Sequence, residues 1–384
     1  MATKRGASAS TSAAASTSLV KRSRVEDADD ASSGSLITVS SSGKDKGLVR
    51  TVKRTSGLSD PILSLSGGHA GEILDVRFSP DGQIIAAAGA DHTVSIWHTY
   101  APNDHITSLL SHSKAVTCLA FLRAPSSSPL LLSASADGTI ILWSPLAPPP
   151  TNKVRRFRQH RAVVNSIAPC PTDATIFASG SDDGTICVWN TDERKPLDVL
   201  NVGYPVTAVE WAQDGSSLFV GGIDNQIHLY DLHRKQVVYT LSSHTDTISS
   251  LRLSPTGSHL LSLSFDSTLK VWDVRPFAIS NGNGARGGEE SQDERLTGTF
   301  TGAAVGGNDS LLVRADWSRD GKRVVSGSCD RTCVVWDMED MKGRVVYKLP
   351  GHRGTCTAAA LHPREPIVVS SSADGTLLLG EIEP

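Results

Sequence analysis

The strongest constraint on this chain is an internal repeat. An Asp followed six residues later by an aromatic residue occurs at Asp91/Trp97, Asp137/Trp143, Asp183/Trp189, Asp224/Tyr230, Asp266/Trp272 and Asp330/Trp336. A seventh copy, Asp374/Gly380, keeps the spacing without the aromatic. Successive Asp positions are 46, 46, 41, 42, 64 and 44 residues apart, and the interval of 64 contains a Gly/Glu-rich stretch that accounts for its excess. A His lies 22 to 25 residues before the Asp in five copies (His69, His112, His160, His244 and His352), while Val202 and Asn308 hold that place in the other two. A period of this length marks a supersecondary unit that cannot bury its apolar face alone and must pack against its neighbours.

Each unit reads as four short strands. Runs such as Thr139-Ile140-Ile141-Leu142-Trp143 and Thr185-Ile186-Cys187-Val188-Trp189 are dense in β-branched and aromatic residues, as buried strands are. Asp137-Gly138, Asp183-Gly184 and Asp374-Gly375 open those strands as hairpin turns in which glycine supplies positive φ. Ser79-Pro80-Asp81-Gly82, Ser254-Pro255-Thr256-Gly257 and Ser318-Arg319-Asp320-Gly321 supply the preceding turns. From about residue 61 onward the chain resembles the WD40-repeat family on these seven registered copies. The resemblance implies an all-β, seven-bladed propeller, whose blades bury their faces against each other and leave only short edges. The last copy stops at Glu381-Ile382-Glu383-Pro384, too early for an outer strand, whereas Ile62-Leu63-Ser64-Leu65 precedes the first repeat without one of its own. That segment is expected to be the fourth strand of the seventh blade, fastening the two chain ends together.

Residues 1–60 differ in kind. Ser, Thr, Ala and Gly supply 33 of the 60, and no aromatic residue precedes Phe78. Too little apolar surface is available to offset chain entropy, so a disordered tail is expected there. Its cluster Lys21, Arg22 and Arg24 is a candidate nuclear-localisation signal. The stretch 279–295 reads as a flexible insertion. The whole chain carries 37 Lys+Arg against 40 Asp+Glu, a balance that argues against holding nucleic acid chiefly by phosphate neutralisation. No apolar run approaches the length of a membrane span. Six cysteines without a C-x-x-C pair read as reduced intracellular thiols.

His112, Ser133, Asp137 and Trp143 form a set that invites a hydrolase reading, as do His160, Ser179, Asp183 and Trp189, and His244, Ser262, Asp266 and Trp272. A catalytic triad is a single strained constellation in a cleft, whereas these sets recur with the repeat. The WD40 resemblance implies a buried chain from Trp to Ser to His to Asp within each blade. Ala87 in the first blade, Val202 and Val220 in the fourth, Asn308 in the sixth and Gly380 in the seventh interrupt the pattern, and those blades are expected to lean on apolar packing. No phosphate loop, metal-ligand set or other cofactor motif is found. The run Lys153, Arg155, Arg156, Arg158 and Arg161 has two readings: a solvated strand and loop, or a patch for an acidic protein segment or an RNA backbone.

Beyond the repeat consensus, Gly221-Gly222-Ile223-Asp224-Asn225, Val271-Trp272-Asp273-Val274-Arg275-Pro276-Phe277-Ala278, Tyr347-Lys348-Leu349-Pro350-Gly351-His352 and Gly380-Glu381-Ile382 are similar to the WD40 subunits of the U5 small nuclear ribonucleoprotein. This resemblance implies a nuclear, non-enzymatic scaffold in pre-mRNA splicing. The implied partners are the large central protein of the U5 particle, the neighbouring GTPase and helicase, and U5 RNA at least indirectly. The alternative is a substrate receptor of a cullin-RING ubiquitin ligase, because Trp272-Asp273-Val274-Arg275 matches the W-D-x-R ending of propellers that dock on that ligase's adaptor. Lys114, Arg161, Tyr204, Ile223, Phe265 and Arg353 follow the repeat-His position or precede a turn Asp, and are the candidate partner contacts, since exposed aromatics and Arg anchor interfaces.

Overall fold

A computed structural model describes residues 56–58, 60, 62–123, 128–276, 295–306, 311–339 and 343–382. The chain divides into Met1–Arg54 and a compact unit, Thr55–Pro384. The basic cluster at 21–24, almost all of the tail and of the 279–295 stretch, and Asn308 lie outside the described residues.

Every regular element described is a strand, and the strands form seven antiparallel four-stranded sheets. The first blade shows the plan: an inner strand Ile73–Phe78, then Ile84–Gly89, Thr93–His98 and an outer strand His105–Leu110. Inner strands of successive blades touch around a closed ring, and the first (Ile73–Phe78) also meets the last (Cys356–Leu361). The seventh blade takes its outer strand from the other end of the chain. Ile62–Leu65 pairs antiparallel with Leu377–Glu381, setting Ile62 opposite Gly380 and Leu65 opposite Leu377.

Among the described residues the apolar core falls into seven clusters, and each is shared by two adjacent blades. Ile85 and Trp97 of the first blade pack with Ala358, Val369 and Leu379 of the seventh. Leu142 and Phe157 of the second blade meet Phe177 and Trp189 of the third, with the two phenylalanine rings edge to face at 5.1 Å. No blade owns a core, so removing one leaves two apolar faces in water.

Turn chemistry follows the sequence closely. Gly138, Gly184 and Gly375 sit at φ of 76°, 76° and 77°. In the other four blades His92, Asn225, Ser267 and Arg331 occupy the same left-handed position, at φ between 62° and 69°. Those side chains carry the steric cost that glycine avoids.

Candidate interaction face

The meander within each blade places the hairpin carrying the repeat Asp and the loop carrying the repeat His at the same end of the sheet. That end is built from polar chains. In the second blade, His112 Nε2 lies 2.8 Å from Ser133 Oγ, which also accepts from Trp143 Nε1 at 2.8 Å, and His112 Nδ1 lies 3.3 Å from Asp137 Oδ2. The third and fifth blades repeat the chain: His160 with Ser179, Asp183 and Trp189, and His244 with Ser262, Asp266 and Trp272. All three serines are fully buried, so none meets a substrate. Burial likewise pushes the Cys187 thiol up to about 12. Such satisfied networks stiffen a sheet.

Two donors that the motif reading overlooked complete each carboxylate. A Thr two residues after the Asp donates to it, as with Thr139 to Asp137 at 2.7 Å and Thr185 to Asp183 at 2.6 Å. The amide after the His donates too, as with Ser113 and Arg161 at 3.0 and 2.8 Å. The Asp-x-Thr spacing is present in six of the seven copies, all but the fourth, and was the signal available. Burial works against the Asp137 charge, yet the Ser113 amide and Thr139 outweigh it and hold the carboxyl well below its usual range. Burial also pushes His112, His160 and His244 down, against the opposing pull of their Asp partners.

The blades that interrupt the pattern do not rest on apolar packing alone. Ala87 is paired across the sheet with Ser95. Ser95 Oγ takes the missing role, 2.7 Å from His69 Nε2 and accepting from Trp97 Nε1 at 2.9 Å. The polar position has moved across one strand pair. In the fourth blade Val220 is paired with His228, whose Nε2 lies 2.7 Å from Asp224 and whose Nδ1 lies 2.9 Å from Thr240 Oγ1. In the sixth, Lys348 reaches Asp330 from the outer strand at 2.5 Å, and Trp336 Nε1 donates to the Thr301 carbonyl at 3.1 Å. The seventh, lacking Trp, keeps His352 on Ser370 at 2.8 Å, with the Asp374 carboxylate at 3.8 Å. Each repeat Asp therefore retains a basic partner, from the preceding loop or from a strand of its own blade.

All six candidate contacts lie at this end of the blades. Lys114, Arg161, Ile223 and Arg353 are exposed. Tyr204 and Phe265 are not the open aromatics expected, because each is half-buried against an inter-blade cluster. Tyr204 packs at 5.8 Å on His228, the ring that replaced its blade's missing pair. Of the basic run, Lys153 Nζ and Arg156 Nη2 bind Ser111 Oγ at 2.6 and 2.8 Å, and Arg155 donates to the Thr191 carbonyl at 2.7 Å. Arg158 and Arg161 are exposed, and their guanidinium groups make no ion pair among the described residues.

A cavity of about 280 Å³ lies among the inner strands, bordered by Thr117, Asn165, Asp182, Thr207 and Arg314. Arg314, in the sixth blade, donates to the carbonyls of Thr117 at 3.1 Å and Asn165 at 2.5 Å in the second and third. Deeper, the inner strands carry alternating charges. Arg252 lies 3.3 Å from Glu210, and Arg77 lies 3.2 Å from Asp316.

The family model "WD domain, G-beta repeat" matches residues 59–98, 103–144, 151–190, 194–231, 235–273, 296–337 and 343–379. The chain belongs to the WD40 family. Among curated WD40 relatives it is 32% identical to the pre-mRNA-splicing factor cwf17 of Schizosaccharomyces pombe, over 95% of this chain and 96% of that protein. It is 36% identical to the Homo sapiens U5 small nuclear ribonucleoprotein 40 kDa protein over 86% of both chains. The Dictyostelium discoideum protein of the same name is 35% identical over 91% of this chain and 92% of its own. In the W-D-x-R tetrapeptide the Arg275 guanidinium folds back onto Asp273, with Nε at 2.9 Å from Oδ1.

Proposed function

We propose that this chain is a non-enzymatic WD40 scaffold of the U5 small nuclear ribonucleoprotein, acting in the nucleus in pre-mRNA splicing. The observation that carries the reading is similarity over nearly the full length to proteins named for that particle and that process. The site chemistry agrees with it. The serines and histidines that recur with the repeat are spent on hydrogen bonds that tie together the strands of each blade. A propeller by itself states no function.

The partners we infer are the large central protein of the U5 particle and the adjoining GTPase and helicase, with U5 RNA met at least indirectly. Lys114, Arg161, Ile223 and Arg353 are the exposed residues proposed to meet them. Affinity purification of the tagged full chain from nuclear extract tests the reading. Co-purification of U5 proteins and U5 RNA is expected; recovery of a cullin adaptor without U5 components would overturn it in favour of a ligase receptor.

A further inference from the structure

The second blade carries the most concentrated positive charge among the described residues. Its outer strand, Lys153–Arg158, is Lys-Val-Arg-Arg-Phe-Arg. Arg156 and Arg158 lie two residues apart, and side chains at i and i+2 of a strand leave on one face, roughly 6.6 Å apart. Both border a cleft of about 360 Å³ with Ser113, Gly138 and His160. Arg156 reaches the cleft anchored by Ser111, and its buried Nε has no hydrogen-bond partner among the described residues. Arg161 and Lys114 stand exposed at the same end of the sheet. Burial pulls the Lys153 ammonium below its usual range, and the neighbouring Arg156 and Arg158 add to that shift. The one carboxylate in the cleft, Asp137, is already held by the Ser113 amide, Thr139 and His112.

We infer that this cleft docks an extended acidic segment of a partner protein, with carboxylates at alternate positions meeting Arg156 and Arg158. An extended chain repeats its side chains at the same spacing as the strand that presents the arginines, and guanidinium forks match carboxylates in geometry. RNA fits less well. Three exposed cations (Lys114, Arg158 and Arg161) beside the anchored Arg156, in a chain of net charge −3, give few phosphate contacts. The inference concerns the isolated chain and does not depend on membership of the U5 particle.

The test is fluorescence anisotropy on the purified full chain with four probes: a labelled Gly-Glu-Ser-Glu-Ser-Glu-Gly peptide, the same composition rearranged as Glu-Gly-Ser-Glu-Ser-Gly-Glu so that no two Glu stand at alternate positions, the alternating peptide with phosphoserine for Glu, and a 20-nucleotide single-stranded RNA. Saturable binding of the alternating peptide is expected. Binding should be about tenfold weaker for Arg158→Glu at unchanged melting temperature, and weaker for the rearranged peptide. Arg156→Gln should weaken it as well; because Arg156 also ties down Ser111, Arg158→Glu is the deciding variant. Absence of saturable binding, equal affinity for the rearranged peptide, an unaffected Arg158→Glu variant, or tighter binding of RNA or the phosphoserine peptide would overturn the assignment.

Discussion

Asp224 Oδ2 and His228 Nε2 lie 2.7 Å apart in the fourth blade, four residues along one strand and the turn before it. In the second, third and fifth blades the Asp reaches a His that arrives from the preceding loop. The fourth has Val202 at that place and makes the contact from within its own third strand. Each of these carboxylates meets a basic side chain, and the direction from which it arrives differs between blades.

Replacing His228 by Val strands Asp224 and frees Thr240 Oγ1. A loss of about 1–3 kcal/mol is expected, read as a lower denaturation midpoint. Ser95→Ala in the first blade should cost about 1–2 kcal/mol for the same reason, leaving His69 Nε2 and Trp97 Nε1 unpaired. Midpoints equal to the parent would show that these side chains are bystanders.

Asp75 has no exposed surface, accepts from the Leu119 amide at 2.9 Å, and faces Arg77 at 3.4 Å and Arg314 at 3.8 Å. Asp75→Ala leaves the buried Arg314 without its anion and Arg77 with Asp316 alone, and is expected to cost about 3–5 kcal/mol. Lys348→Ala, at a half-exposed pair, should cost under about 1 kcal/mol. Chemical denaturation of the two variants side by side checks the ranking.

Burial lowers the pKa of His112, His160, His244 and His352 in the folded chain relative to 6.5. The unfolded chain then binds more protons below that value, so stability falls as pH drops from about 6.5 towards the folded values. Asp137, Asp183, Asp266 and Asp374 are held below 3.8, which adds a second loss as pH falls below about 4. The melting temperature should therefore decline from pH 7 to 5 and again below 4. A flat profile between 7 and 5 would contradict the burial of neutral imidazoles.

Deleting residues 61–66 removes the strand Ile62–Leu65 that pairs with Leu377–Glu381 and exposes the edge that closes the ring. A sharp drop in melting temperature is expected by differential scanning fluorimetry, and an unchanged melt would mean that the ends need no fastener.

Arg331 holds φ at 68° in the hairpin where three other blades use glycine. Arg331→Gly should raise stability by about 0.5–1 kcal/mol by relieving left-handed strain. A lowered midpoint would show that the side chain contributes more than the strain costs.

The repeat, the number of blades, the turn glycines and the strand that joins the chain ends were all legible in the sequence, because each is a local pattern: a period, a positive-φ position, an unpartnered apolar run. The triads of His112, His160 and His244 were legible for the same reason. The compensations were not. Ser95 for Ala87, His228 for Val202 and Val220, and Lys348 in the sixth blade depend on which residues face each other across a strand pair, and register is a property of the folded sheet. The half-burial of Tyr204 and Phe265 likewise follows from the neighbouring blade, which no residue in their own loops announces. Sequence determined the blades one at a time, since hydrogen bonding and patterning act within forty-odd residues. Only the closed ring decided which polar groups meet and which surfaces remain open, because those depend on contacts between segments far apart in the chain.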